Sequence, residues 1–108
     1  DFCFFNLSRE FMSLSDLRQR IDVLDDEIVE RIGERLRLVL EVADMKREGA
    51  IPVMQHGRVE SVKARCRERG MRLGLRGEFV DQLYDLIIGE ACRLEYDAMG
   101  QCSTSRSF

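Results

Sequence analysis

A chain of 108 residues is the size of one domain with a modest core. Its composition, 44% hydrophobic and 34% charged with one proline and no tryptophan, describes a soluble helical protein rather than a membrane span or a disordered tail. The net charge of −3 argues against general nucleic-acid binding, because no surplus of cations is available to neutralise phosphates.

Residues 1–12, DFCFFNLSREFM, carry Arg9 and Glu10 and lack a small-residue cleavage site, so they do not read as a signal peptide. They are expected to be a disordered or non-native leader, with Met12 a candidate start. Residues 13–99 hold the helical domain, and residues 100–108 form a polar, flexible tail.

Ser13 and Ser15 are both N-cap candidates, and Asp16 adds a negative charge where the helix dipole favours it. From there one helix is predicted to about Arg47 or Glu48, with Gly49 as its stop. Leu17, Ile21, Leu24, Ile28, Ile32, Val39 and Val42 recur at three- and four-residue steps and draw a single apolar stripe. At about 100° per residue, Arg35 and Lys46 fall within roughly 20° of each other near the centre of that stripe. The acids Asp22, Asp26, Glu27, Glu30, Glu34, Glu41, Asp44 and Glu48 point to the other side. Two cations facing a core need an anion from another segment or from a ligand.

A helix of some 32 residues is about 48 Å long, whereas a domain of this size is only roughly 35 Å across. The stripe continues to the helix end, which predicts a second chain covering it: an intertwined homodimer.

The stretch AIPVMQHG, 50–57, reads as a loop. A short helix is predicted over Arg58–Arg69, ending at Gly70, with Val59, Val62 and Cys66 as its apolar contacts. The turn-rich MRLGLRG follows. A third helix is predicted from about Glu78 to Met99, with Phe79, Val80, Leu83, Leu86, Ile87 and Leu94 as its core stripe. Glu95 lies on the edge of that stripe, in line with Tyr84, Ile88 and Ala91. A carboxyl there is partly desolvated, which favours its protonated form. The fold class is all-α: one very long, one short and one long helix per chain, paired as a homodimeric bundle.

Cys3, Cys66, Cys92 and Cys102 are scattered, with no C-x-x-C pair, so neither a metal site nor a disulfide framework is expected. They read as reduced thiols of a cytoplasmic protein. His56 has no partner motif and receives no catalytic role. What remains is a set of cations, Arg18, Arg35, Lys46 and Arg58, with Glu95. Arg18 is turned about 80–100° from Arg35 and Lys46, so it is poorly placed to join them in one subunit but suited to reach a partner's site. Convergent cations on an apolar cavity suit a small, multiply anionic, non-phosphate ligand, because guanidinium groups grip carboxylates bidentately. With no nucleophile–base pair or glycine-rich loop, and no cofactor expected, a reaction there runs on positioning and electrostatics.

From Leu17 to Asp97 the chain resembles the all-helical, type II class of chorismate mutases. The resemblance is carried by LRQRIDVLDDEIVERIGERLRLVLEVADMK, then IPV, Arg58, and GLRGEFVDQLYDLIIGEACRLE. It implies an intertwined dimer with two identical sites and the Claisen rearrangement of chorismate to prephenate. Arg18 matches the arginine lent by the partner subunit. Arg35 and Lys46 match the cations on the substrate carboxylates, Lys46 also the donor to the ether oxygen, and Arg58 a further arginine of the site. Glu95 matches a glutamine or glutamate bonded to that same oxygen. Three positions depart from the pattern: Val59 where several members have a glutamate at the ring hydroxyl, Ala91 for a serine, and Gln55 for an aspartate. All lie on the side that reads the ring substituent. Chorismate is thus the first expected substrate and 4-amino-4-deoxychorismate the alternative. Elimination of pyruvate from isochorismate, or a non-catalytic helical dimer, ranks below both. Neither nucleic acid nor membrane is an expected partner.

Overall fold

A computed structural model describes residues 12–100; the expectations for the leader before Met12, for residues 101–108, and for Cys3 and Cys102 lie outside that range. Among the described residues all regular structure is helical: α1 spans Leu14–Gly49, α2 His56–Arg72 and α3 Gly77–Ala98. None of these helices is long and apolar enough to cross a membrane. The chain divides into two compact units between Glu34 and Arg35, within α1.

In the first unit, Ser13 proves to be the cap of α1. Its Oγ accepts from the Asp16 amide at 3.0 Å, and the Asp16 carboxylate accepts from the Ser13 amide at 3.2 Å. This reciprocal arrangement satisfies two amides that the first turn leaves without helical partners. The predicted stripe is present but uncovered within the single chain: Leu17, Ile21, Leu24 and Ile28 are all exposed.

In the second unit, α1 runs through Gly49, the residue predicted to stop it and one past the predicted last helical residue, Glu48. The left-handed conformation that ends it falls on Ala50, with φ 55°. The Ile51 amide bonds back to the Lys46 carbonyl at 2.8 Å, closing the helix in a Schellman-like turn. Ile51, held before Pro52, then leads the chain away.

The second helix begins and ends further out than its predicted limits, Arg58 and Gly70. Gly70 is interior to α2 and buried. A Cβ there would meet Val80 Cγ2 at 2.7 Å, so glycine at this position permits close approach of α2 and α3 rather than ending a helix. The turn is made four residues later by Gly74, at φ 88°. Lys63–Asp85 and Arg67–Asp81 bridge α2 to α3 along the outside.

The buried apolar residues of the described chain are small: Ala43, Val53, Val62, Val80 and Ala91. Of the predicted α3 stripe, Val80 is buried and Ile87 and Leu94 are half-buried. Phe79, Leu83 and Leu86 are exposed, Leu86 at 74%. The periodicity identified an apolar face, of which the described residues cover only part.

Candidate active site

The core of the second unit leaves a cleft of about 340 Å³. Its walls come from three elements: Arg35, Val39, Val42 and Lys46 of α1, Val59 and Val62 of α2, and Ile88, Ala91, Cys92 and Glu95 of α3. Val53 and Gln55 close it from the connecting loop, and Arg58 stands on the first turn of α2. The four-residue steps from Arg35 to Val39 and from Val42 to Lys46 place cation, valine, valine and cation along one helix face. That is the face on which the sequence set Arg35 and Lys46.

Each of the two cations has a different neighbour. Lys46 Nζ lies 2.9 Å from Glu95 Oε1, an ion pair whose side chains are 15% and 8% exposed. The ammonium also donates to the Val53 carbonyl at 2.7 Å, which ties the loop to α1. Although close, the ammonium lies outside hydrogen-bond alignment with Oε1, which has no aligned donor. The carboxylate is therefore charge-paired while one of its buried oxygens remains open to a further partner. Among the described residues Arg35 has no acid partner. Its guanidinium sits over the Tyr84 ring, 5.9 Å from the centroid. Among the described residues Arg58 also forms no ion pair, and it is exposed at the cleft.

Glu95 was expected at the edge of the apolar stripe; the structure buries it, at 6% exposure. Arg18 is on the exposed first half of α1 and forms no ion pair with Asp22. Gln55, Val59 and Ala91 line the cleft, and they contribute no ionised acid to it. Sequence reading missed the Val53 carbonyl, because a backbone acceptor leaves no side-chain signal. Cys92, read from the sequence only as a scattered thiol, is a wall residue of the cleft. Burial first, then the Glu95 carboxylate, push its thiol above the ordinary range, with Lys46 opposing. That environment suppresses the thiolate and makes Cys92 an apolar lining group rather than a nucleophile.

The cleft can accept a compact dianion. Arg35 and Arg58 have free charge and fork geometry for carboxylates. Lys46 and Glu95 form a polar pair set among valines, where charge developing on a bound molecule is stabilised strongly. The profile of the chorismate mutase type II family matches residues 17–96, a span that includes every residue named in this cleft as well as Arg18. The chain belongs to that family. Family membership makes it an enzyme of the isomerase type. It is similar to a protein of Streptomyces venezuelae named 4-amino-4-deoxychorismate mutase, with 38% identity over 82 residues, 76% of this chain and 80% of that protein. A second protein of the same name, from Streptomyces pristinaespiralis, is 35% identical over 82 residues, again 76% of this chain but 64% of its own length.

Proposed function

We propose that this type II chorismate mutase family member rearranges 4-amino-4-deoxychorismate, with chorismate as the second reading. The observation that carries the chemistry is the buried Lys46–Glu95 pair in a cleft that also receives Arg35 and Arg58. In the rearrangement the ether C–O bond breaks as a C–C bond forms between the enolpyruvyl methylene and the ring. No group leaves, and no proton need be gained or lost. The enzyme's work is to hold a compact conformer and to stabilise charge on the ether oxygen. Arg35 and Arg58 clamp the carboxylates. In the bound complex Lys46 donates to the ether oxygen, and Glu95, ion-paired with Lys46 in the free cleft, is the second donor when it carries a proton.

The choice of the amino substrate rests on two supports. Both relatives carry that activity in their names. The ring side of the cleft, formed by Val59, Ala91 and Gln55, lacks the acid that several members place against a ring hydroxyl. The test is turnover of both substrates by the purified protein, with products identified by mass. We expect kcat/KM to be at least about tenfold higher for 4-amino-4-deoxychorismate, the size of discrimination a small substituent change supports. A higher value for chorismate would restore the second reading. A product lighter than its substrate would mean elimination of pyruvate instead, and no turnover on either substrate would refute the isomerase assignment for this cleft.

We further propose that two copies pair and that Arg18 completes the partner's site. The exposed apolar stripe Leu17, Ile21, Leu24 and Ile28 supports this, and among the described residues Arg18 has no ion partner. The free thiols of Cys66 and Cys92 are consistent with a cytoplasmic setting. Arg18→Ala and Arg35→Ala should each be nearly inactive. Unfolding and refolding the two together should restore about a quarter of wild-type activity, because half the dimers are mixed and each mixed dimer holds one intact site. No recovery from the mixture would refute the shared site.

A further inference from the structure

Among the described residues Arg35 pairs with no acid, and its guanidinium sits over an aromatic ring. Tyr84, on α3, does not line the cleft. It lines a separate cavity between α2 and α3, together with Cys66, Leu83 and Val80. Its ring face reaches the Arg35 guanidinium at 5.9 Å. We propose that Tyr84 is a positioning residue: its ring holds the Arg35 guanidinium in the orientation from which it grips a substrate carboxylate. The proposal rests on the rearrangement reading above. A guanidinium over an aromatic face keeps its in-plane N–H groups free, so a ring orients the group without consuming the donors a carboxylate needs. An acid at the same place would occupy those donors and compete with the substrate.

The neighbouring Cys66 side chain and partial burial hold the Tyr84 phenol above the ordinary range, with Arg35 and Arg65 opposing. The ring therefore stays neutral at physiological pH, and its face remains available to the cation. Through this contact the α2–α3 packing, where Tyr84 sits, reaches the substrate clamp on α1.

The test keeps ring, hydroxyl and volume apart. Tyr84→Phe retains the face and should stay within about twofold of wild-type kcat/KM. Tyr84→Met fills similar volume without a π face and should lose about 5- to 10-fold, mainly through KM, the size of a single cation–π contact. In an Arg35→Ala background the same methionine should cost nothing further. Should the methionine variant fail to fold, phenylalanines of increasing fluorination at position 84 preserve shape while draining the ring face, and substrate affinity should fall stepwise with fluorine number. A substrate-independent readout is the Arg35 Nε–H resonance of the ligand-free protein. It should pass from ordered to flexible when Tyr84 becomes Met or the most fluorinated residue.

An equal loss in both backgrounds would assign Tyr84 to packing alone and overturn the proposal. So would a Phe variant as impaired as Met, or an Arg35 side chain equally ordered in all variants. If wild type turns over neither substrate, the rearrangement reading fails, while the resonance still reports whether Tyr84 orders Arg35.

Discussion

Lys46→Met should lower kcat/KM by about 10²- to 10³-fold, the loss seen when one donor to a developing oxyanion is removed. It should also destabilise the fold, for a separate reason. Lys46 and Glu95 are both buried, and deleting one partner of such a pair strands the other, at a cost of about 3 kcal/mol. The lost donation to the Val53 carbonyl loosens the loop as well. These effects are separable by a second substitution. Adding Glu95→Leu to Lys46→Met removes the stranded charge, so thermal unfolding should return towards wild type, because apolar replacement of a whole buried pair is often neutral or stabilising. Activity should not return. If the pair were only a structural ion bridge between α1 and α3, activity would follow stability and the double variant would work. Chemical denaturation of both variants, set beside their kinetics, decides between the two.

The long helix and its two cations were legible because α1 is strongly periodic, and a periodic face is a local property of sequence. Arg35 and Lys46 share a face in any α-helix, whatever surrounds it. The requirement for an anion was equally legible; its source was not. Lys46 finds Glu95 and Arg35 finds Tyr84, and both contacts cross between helices far apart in the chain. Glu95 at the stripe's edge was legible as partly desolvated, but its burial depends on how α1 and α3 meet. Gly70 shows the opposite failure. A glycine after a charged helical run reads as a stop, yet here it is the contact that lets Val80 approach. Local propensity cannot separate a glycine needed for its φ from one needed for its missing Cβ. The exposed Leu86 and Phe79 show the limit of periodicity in another way: it marks a face as apolar without saying whether anything covers it.

Glu95→Gln should preserve activity and remove its dependence on pH, whereas Glu95→Ala should lose about 10²-fold or more. The argument turns on which group donates to the ether oxygen. A carboxylate can only accept, while a carboxylic acid carries one O–H and a glutamine amide carries N–H donors at every pH. If Glu95 acts as donor, its active form is the protonated one, so wild-type kcat/KM is highest at low pH and falls as pH rises. Glutamine has no proton to lose, so its profile is flat and crosses above wild type on the alkaline side. The geometry of the free cleft is compatible with this role: Glu95 Oε1 is buried beside Lys46 yet has no aligned hydrogen-bond donor, leaving it available to a bound molecule. Rate profiles of wild type and Glu95→Gln on the same substrate, from mildly acidic to alkaline pH, test this directly. A flat wild-type profile would remove the donor role from Glu95 and leave Lys46 as the sole group on the ether oxygen. Alanine then separates donation from mere space filling: a variant as active as glutamine would mean that the oxygen needs nothing from this position.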